Sequence, residues 1–138
     1  MRVYLAASTR QLRQLLDGGA VTDVLDGYAA VDALRMEWGD DSGEELEYAL
    51  STAAAGASLL MLQATSQVPA RRVVIVADLA AEQVEVALET PGAVIVKDGV
   101  TLERVDAVLA DPADLAEGRA ISDDLAWFAP QEIADLLA

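Results

Sequence analysis

The chain has 138 residues and a net charge of −15, from 24 acidic and 9 basic side chains, and it contains neither Cys nor His. This composition excludes disulfides, thiol nucleophiles, histidine-based catalysis and Cys/His zinc sites. The acidic excess opposes binding to nucleic acid and to anionic membranes, whereas it would attract a basic protein partner. The length and an apolar fraction of 54% predict one globular domain over residues 1–138.

The first part of the chain predicts a strand, a short helix and a second strand. Residues 2–6 are mainly apolar and predict the first strand. Residues 8–11 have the capping-box pattern S-x-x-Q at a helix start, and Gly18-Gly19 provides the helix end. The second strand is predicted over 27–36, although Asp32 interrupts its apolar face.

The longest predicted helix spans 43–67 and follows a second capping box at 42–45. Its middle, residues 53–57, consists of small side chains, which predicts close packing of this stretch against a sheet. The apolar positions at helical spacing are Leu46, Leu50, Ala53, Ala57, Leu60 and Ala64.

The second half predicts mainly strands. The strand predicted at 72–77 holds a run of five apolar residues, 73–77, which is typical of a strand covered on both faces, and 105–110 is predicted to be another buried strand. Weaker strands are predicted at 84–88 and 93–96. Single helical turns or short helices are predicted at 102–104, after Asp111-Pro112, and at the end of the chain around Ile133, Leu136 and Leu137.

This order of elements predicts an α/β fold, with a mixed, partly parallel sheet and the long helix packed on it, because strands that alternate with helices favour crossover connections. An α+β ferredoxin-like arrangement is the alternative, since residues 84–96 could add antiparallel strands. The chain start lacks the long apolar segment of a signal peptide, and no stretch approaches the length of a membrane span, so we expect a cytoplasmic protein.

Several segments together resemble an uncharacterised actinobacterial protein family of about this length, a domain of unknown function. The matching segments are 2–5, 45–49, 71–74 with 77–78, 105–111, and 127–129 with 131–133. They are distributed over nearly the whole chain and occur in the same order as in the family, although Ala6 stands where the family has a proline after its first strand. The resemblance implies an actinobacterial cytoplasmic protein, and it assigns no activity, cofactor or site residue.

Two groups of acidic residues are candidate sites. Residues 37–47 hold six carboxylates that could bind a cation or a basic partner, or could simply complement the helix dipole. Asp78 and Asp111 each follow a predicted buried strand. If those strands were parallel, both side chains would lie at one sheet edge together with Trp38 and Asp40, where α/β folds bind ligands. Helix capping is the structural alternative for Asp111.

The sequence favours a non-catalytic, protein-binding or regulatory domain with a basic protein partner, no cofactor and no metal. The alternative is a small carboxylate-dependent enzyme or ligand-binding domain at the carboxyl ends of the strands, with Trp38, Asp40, Asp78 and Asp111 in its site. Trp127, near the end of the chain, is expected to close the core. The sequence is compatible with either a monomer or a homo-oligomer.

Overall fold

The computed structural model describes residues 1–31, 43–65, 71–87, 89–113 and 125–138. The strands in these segments are β1 (Arg2–Ala7), β2 (Ala20–Val21), β3 (Leu25–Ala29), β4 (Val73–Asp78), β5 (Glu85–Val86), β6 (Ala93–Val96), β7 (Val100–Thr101), β8 (Val105–Ala110) and β9 (Ala126–Phe128). The helices are α1 (Thr9–Gly18), α2 (Glu44–Thr65) and α3 (Ile133–Leu137). Short 3-10 turns lie at Ala81–Gln83, Leu102–Arg104 and Pro130–Glu132.

Seven of these strands form one sheet in the order β5-β6-β3-β1-β4-β8-β9, and β2 pairs with β7 in a separate ribbon. Every strand pair in the described segments is antiparallel. The long helix α2 packs on the centre of the sheet, against β3, β1 and β4. The prediction of an α/β domain with a long helix on a sheet is therefore confirmed.

The prediction of parallel strand pairs is wrong, for a topological reason. Both β3 and β4 run antiparallel to β1, so they point in the same direction and α2 is a genuine crossover between them. However, β1 lies between the two strands and separates them. The strand–helix–strand pattern thus indicates the direction of the strands correctly but not their neighbours. The ferredoxin-like alternative is not supported either, since β1 is the middle strand of a seven-stranded sheet.

The helix boundaries follow from their capping residues. Helix α1 begins after Ser8, whose backbone N–H donates to Oε1 of Gln11 at 2.8 Å, as the predicted capping box requires. It ends at Gly19, whose φ of 76° is the left-handed conformation that glycine adopts readily. In the second predicted capping box, Ser42 lies outside the described residues.

The strand predictions are confirmed at most positions, with shifts of a few residues. Strand β3 covers only the start of the predicted 27–36 strand, and residues 32–36 lie outside the described residues. The 84–88 strand shortens to Glu85–Val86, with Leu88 outside the description. The helix predicted after Asp111-Pro112 falls mostly in residues 114–124, which are outside it as well.

The buried face of α2 is rotated by about one position from the predicted one. The half-buried Ala53 and Ala57 and the exposed Leu60 do not form the inner face. The inner positions recur every four residues and are Leu46, Leu50, Ala54, Ser58 and Leu62, with Ala55 beside them. The small-residue stretch does allow a close approach to the sheet, but through Ala54 and Ser58.

Ser58 connects the helix to the two central strands of the sheet. Its hydroxyl donates to the carbonyl oxygen of Ala7 at 2.7 Å and accepts from the N–H of Val73 at 3.0 Å. Ala7 and Val73 are register partners at one end of the β1–β4 pair. The fully buried serine therefore satisfies one backbone acceptor and one donor where that ladder ends.

The two faces of the sheet are covered by different helices. Tyr4 of β1 and Val76 of β4 are register partners that line one groove with residues of α2, so α2 covers their face. Phe128 of β9 lines a second groove with Leu136 of α3, which places α3 on the opposite face, and α1 packs against α3. Among the segments described, no helix is both long and apolar enough to cross a bilayer.

Candidate functional site

The structure does not bring the sequence-predicted site residues together. Asp78 is at the end of β4, where its register partner is Arg2. Asp111 follows β8, which runs antiparallel to β4, so it lies beside Arg72 at the other end of that strand. Trp38 and Asp40 lie outside the described residues. A shared site for Asp78 and Asp111 required parallel strands, and the antiparallel sheet separates them.

Each of the two aspartates has a structural partner. Asp111 is 4% exposed and accepts three hydrogen bonds from Arg72: from the backbone N–H at 2.9 Å, from Nε at 3.0 Å and from Nη2 at 2.7 Å. Asp78 is mainly exposed, and its Oδ1 lies 3.1 Å from the amino group of Met1. The first is a buried ion pair and the second a surface contact.

The acidic residues of 37–47 are only partly described. Glu44, Glu45 and Glu47 occupy the first turn of α2, where carboxylates complement the positive end of the helix dipole. The remaining members, Glu37, Asp40 and Asp41, lie outside the described residues. Across the residues that the structure does describe, no group of three or more Asp or Glu side chains is arranged to hold a metal ion.

A groove lies between α2 and strands β1, β4, β8 and β9 of the sheet, and we call it the aromatic groove. It has a volume of about 230 Å³. Its wall on α2 is formed by Glu47, Tyr48 and Ser51, and its floor by side chains of four strands. These floor residues are Arg2, Tyr4, Val76, Ala107, Leu109 and Trp127.

Aromatic side chains are concentrated in this groove. The whole chain has two Trp, three Tyr and one Phe, and three of these six line the groove: Tyr4, Tyr48 and Trp127. Tyr4 is buried, whereas 55% of Tyr48 and 63% of Trp127 is exposed. Large aromatic side chains exposed side by side are typical of binding surfaces, because they offer apolar area and polar edges together.

One ion pair lies at the groove. Nη1 of Arg2 is 3.2 Å from Oε1 of Glu47, and about half of each side chain is exposed. Such pairs contribute less than about 1 kcal/mol to stability, because water screens them. Glu47 can therefore exchange Arg2 for another cation at little cost.

The groove raises the pKa of the Tyr4 side chain. Burial raises the pKa of its phenol, and the negative charge of Glu47 raises it further, while Arg2 opposes both effects. Burial acts to lower the pKa of Arg2, but its interactions with Tyr4 and Glu47 outweigh that effect and the pKa is raised. At neutral pH the groove thus holds the neutral phenol of Tyr4 beside the charged guanidinium of Arg2.

Trp127 lies on the surface of the protein, contrary to the prediction. It was expected to close the core, but it is one of the most exposed large side chains of the described segments. The available signal was its position within β9, between Ala126 and Phe128, because neighbouring residues of a strand face opposite sides of the sheet. Phe128 packs against the core cluster, so Trp127 must project from the other face.

A second groove lies on the other side of β9, and we call it the C-terminal groove. Its volume is about 290 Å³. Its lining residues are Arg71, Pro112, Phe128, Glu132, Asp135, Leu136 and Ala138. Nη1 of Arg71 donates to the carbonyl oxygen of Leu136 at 2.7 Å, which ties α3 to the strand region. The strand β9 therefore separates two grooves that carry acidic side chains.

The comparison with protein families gives one match. The model of a family described as "Family of unknown function (DUF6912)" matches residues 1–137. No significant match was found among curated proteins or solved structures. The expected resemblance to an uncharacterised family over nearly the whole chain is confirmed.

Proposed function

This chain belongs to the DUF6912 family over nearly its whole length, and we propose that it is a non-catalytic domain that binds a basic segment of a protein partner in the aromatic groove. The observation that carries the proposal is the pairing of exposed Tyr48 and Trp127 with the Glu47 carboxylate in one groove. A Lys or Arg side chain fits this arrangement, since its charge can lie over an aromatic face while Glu47 neutralises it.

The charge of the whole molecule supports the same partner. With a net charge of −15, the protein attracts cationic segments over long distances and increases their rate of association. Only 9 basic residues are present in the chain, and the one at the groove, Arg2, is already paired with Glu47. An incoming cation can therefore compete for Glu47 without meeting a cluster of like charges.

A carboxylate-dependent enzyme or ligand site at the strand ends has less support. Acid–base catalysis by two carboxylates needs both of them near one substrate. Asp78 and Asp111 lie at opposite ends of β4, and Asp111 is already hydrogen-bonded to Arg72. The aromatic groove contributes a single carboxylate, which suits recognition of a cation better than proton transfer between two acids.

The proposal is tested by the affinity of a labelled heptapeptide of alternating Lys and Val, measured by fluorescence anisotropy at low and high salt. The reference peptide has Glu in place of Lys. Trp127→Ala and Tyr48→Ala should each weaken binding about tenfold or more, because each removes one aromatic face. Leu60→Ala is the matched control, since Leu60 is also an exposed large side chain of α2 but does not line the groove.

Binding of the Lys peptide but not the Glu peptide, lost in the two groove variants and retained in Leu60→Ala, supports the proposal. Equal affinity of all three variants would place the contact elsewhere and refute it. Thermal stabilisation by tetramethylammonium without any peptide binding would refute it as well, in favour of a small organic cation as the occupant. The proposal assumes the predicted cytoplasmic location, and the actinobacterial origin also stays a prediction.

A further inference from the structure

The strand β9 forms one edge of the sheet as it is described. It pairs with β8 through Val108 with Phe128, Leu109 with Trp127, and Ala110 with Ala126. On its other side, no strand of the described segments pairs with it. An open edge of this kind presents backbone N–H and C=O groups that another extended chain can bind.

The hydrogen bonds of the neighbouring strands show which backbone groups of β9 point outward. The N–H of Asp111 donates to the carbonyl oxygen of Arg72 at 3.1 Å, so Asp111 and, two residues earlier, Leu109 direct their backbone groups toward β4. The alternate residues of β8, Val108 and Ala110, therefore direct their backbone N–H and C=O groups toward β9. There they form hydrogen bonds with the backbone groups of Phe128 and Ala126.

Trp127, between these two, directs its N–H and C=O away from the sheet. Neither group has a partner within the described segments, in contrast to the backbone groups of Phe128 and Ala126. The same residue has its indole exposed at the aromatic groove. A main-chain donor, a main-chain acceptor and a large aromatic surface are thus available at one position of the edge.

We infer that the basic partner segment binds as an added β-strand along β9, exchanging two backbone hydrogen bonds with Trp127. This inference rests on the proposed function and specifies how the segment binds. The partner residue bonded to Trp127 has its side chain on the same face as the indole, where a Lys or Arg can extend over the ring.

The side chains next to that residue point to the opposite face of the sheet. There the C-terminal groove offers the carboxylates of Glu132 and Asp135 beside the ring of Phe128. Both faces of an added strand therefore meet an aromatic ring and acidic side chains, which favours a segment with basic residues in an extended conformation. Because β9 has only three residues, few backbone bonds form, and the side chains supply most of the selectivity.

The test is an N-methyl scan of the alternating Lys–Val heptapeptide combined with amide exchange of the protein. N-methylation removes a backbone donor but keeps the side chain and the charge. The peptide residue that donates to Trp127 is a Lys, and a strand directs alternate N–H groups to opposite sides. N-methylation of all Lys positions should therefore weaken binding at least tenfold, and N-methylation of all Val positions less than threefold. The amide of Trp127 should become at least tenfold slower to exchange in the complex.

Val86 provides the control for exchange. It lies on β5, the opposite edge of the sheet, and its N–H also points outward, because the N–H of the next residue, Ala87, donates inward to Ala93. Its exchange should not change. If the peptide binds and Trp127→Ala abolishes binding, but N-methylation at neither the Lys nor the Val positions matters and the Trp127 amide is unprotected, the strand addition is refuted while the proposed function stands. If no peptide binds, both fail.

Discussion

Arg72 and Asp111 join the start of β4 to the end of β8 through a bidentate ion pair in which both side chains are less than 10% exposed. The carboxylate also accepts the backbone N–H of Arg72, and the Asp111 N–H donates to the Arg72 carbonyl oxygen. The two residues therefore extend the strand ladder with charged hydrogen bonds. Bidentate geometry with these additional bonds is what allows a buried ion pair to offset its desolvation.

Removal of Asp111 should be strongly destabilising. Asp111→Ala removes the carboxylate that binds the buried Arg72 guanidinium in a bidentate pair, so we expect the free energy of unfolding to fall by about 3–5 kcal/mol. Asp78→Ala, which removes an exposed carboxylate that pairs with the amino group of Met1, should change it by less than about 1 kcal/mol. Urea unfolding of both variants measures the difference, and similar midpoints would show that the pair does not hold the strands together.

The hydroxyl of Ser58 should contribute substantially to the stability of the fold. Ser58→Ala leaves the carbonyl oxygen of Ala7 and the N–H of Val73 unpaired in the core, which costs about 1–3 kcal/mol for a buried group left unsatisfied. Ser51→Ala is the control on the same helix, since the Ser51 hydroxyl bonds only to the exposed carbonyl oxygen of Tyr48. Urea midpoints should fall for the first variant and stay near wild type for the second.

Substitution of alanine for each of two glycines should change the stability of the fold in opposite directions. Gly99 has a φ of 71°, and a Cβ there would overlap the carbonyl oxygen of Val21, so Gly99→Ala should destabilise the fold by at least about 2 kcal/mol. A Cβ at Gly56, within α2, would meet no atom within 4 Å, and Gly56→Ala should stabilise the protein by about 0.5–1 kcal/mol. The unfolding temperatures of the two variants measure both effects. A lower unfolding temperature for Gly56→Ala would show that this face of α2 is covered.

Alkaline pH should destabilise the protein partly through Tyr4. Its pKa is raised, first by burial and then by Glu47, so the folded state holds the phenol proton more tightly than the unfolded state does. Stability is therefore full below the usual tyrosine pKa of about 10 and falls as the pH rises through the folded-state value. Lys97, whose pKa is raised by Glu85, contributes in the same direction.

Tyr4→Phe should reduce the alkaline loss of stability measured by urea midpoints between neutral pH and the alkaline range. Absorbance titration of the folded wild type should show a phenol that ionises above the usual tyrosine pKa, and the variant should lack that step. An unchanged titration curve in Tyr4→Phe would contradict the assignment of the raised pKa to this residue.

The sequence predicts most of the elements here because their signals are local. The capping box at Ser8, the αL glycine at Gly19 and the apolar run of β4 each depend on a few adjacent residues. The order of the strands in the sheet, in contrast, is not determined by a few adjacent residues. Nothing in the residues of β3 or β4 indicates that β1 lies between them, since the pairing of distant strands depends on contacts over the whole fold.

The grouping of Asp78 with Asp111 is wrong for the same reason. Asp78 and Asp111 were grouped on the assumption of parallel strands, and their separation follows directly from the antiparallel pairing of β4 with β8. The aromatic groove combines Tyr4, Tyr48 and Trp127 from three distant parts of the chain, so no sequence spacing could reveal it. Only the alternation within β9 carried a local signal, which indicates that Trp127 and Phe128 face opposite sides.

The most direct test of the account is to follow the indole N–H signals of the two tryptophans by nitrogen-15 NMR during titration with the alternating Lys–Val heptapeptide. Trp127→Phe assigns the signals by removing one of them. The account predicts that the Trp127 indole signal shifts in a saturable way that tracks the affinity from anisotropy, and that the Glu-containing peptide leaves it unchanged. A saturable shift of the Trp38 signal alone, with Trp127 unmoved by the bound peptide, would contradict a binding site in the aromatic groove.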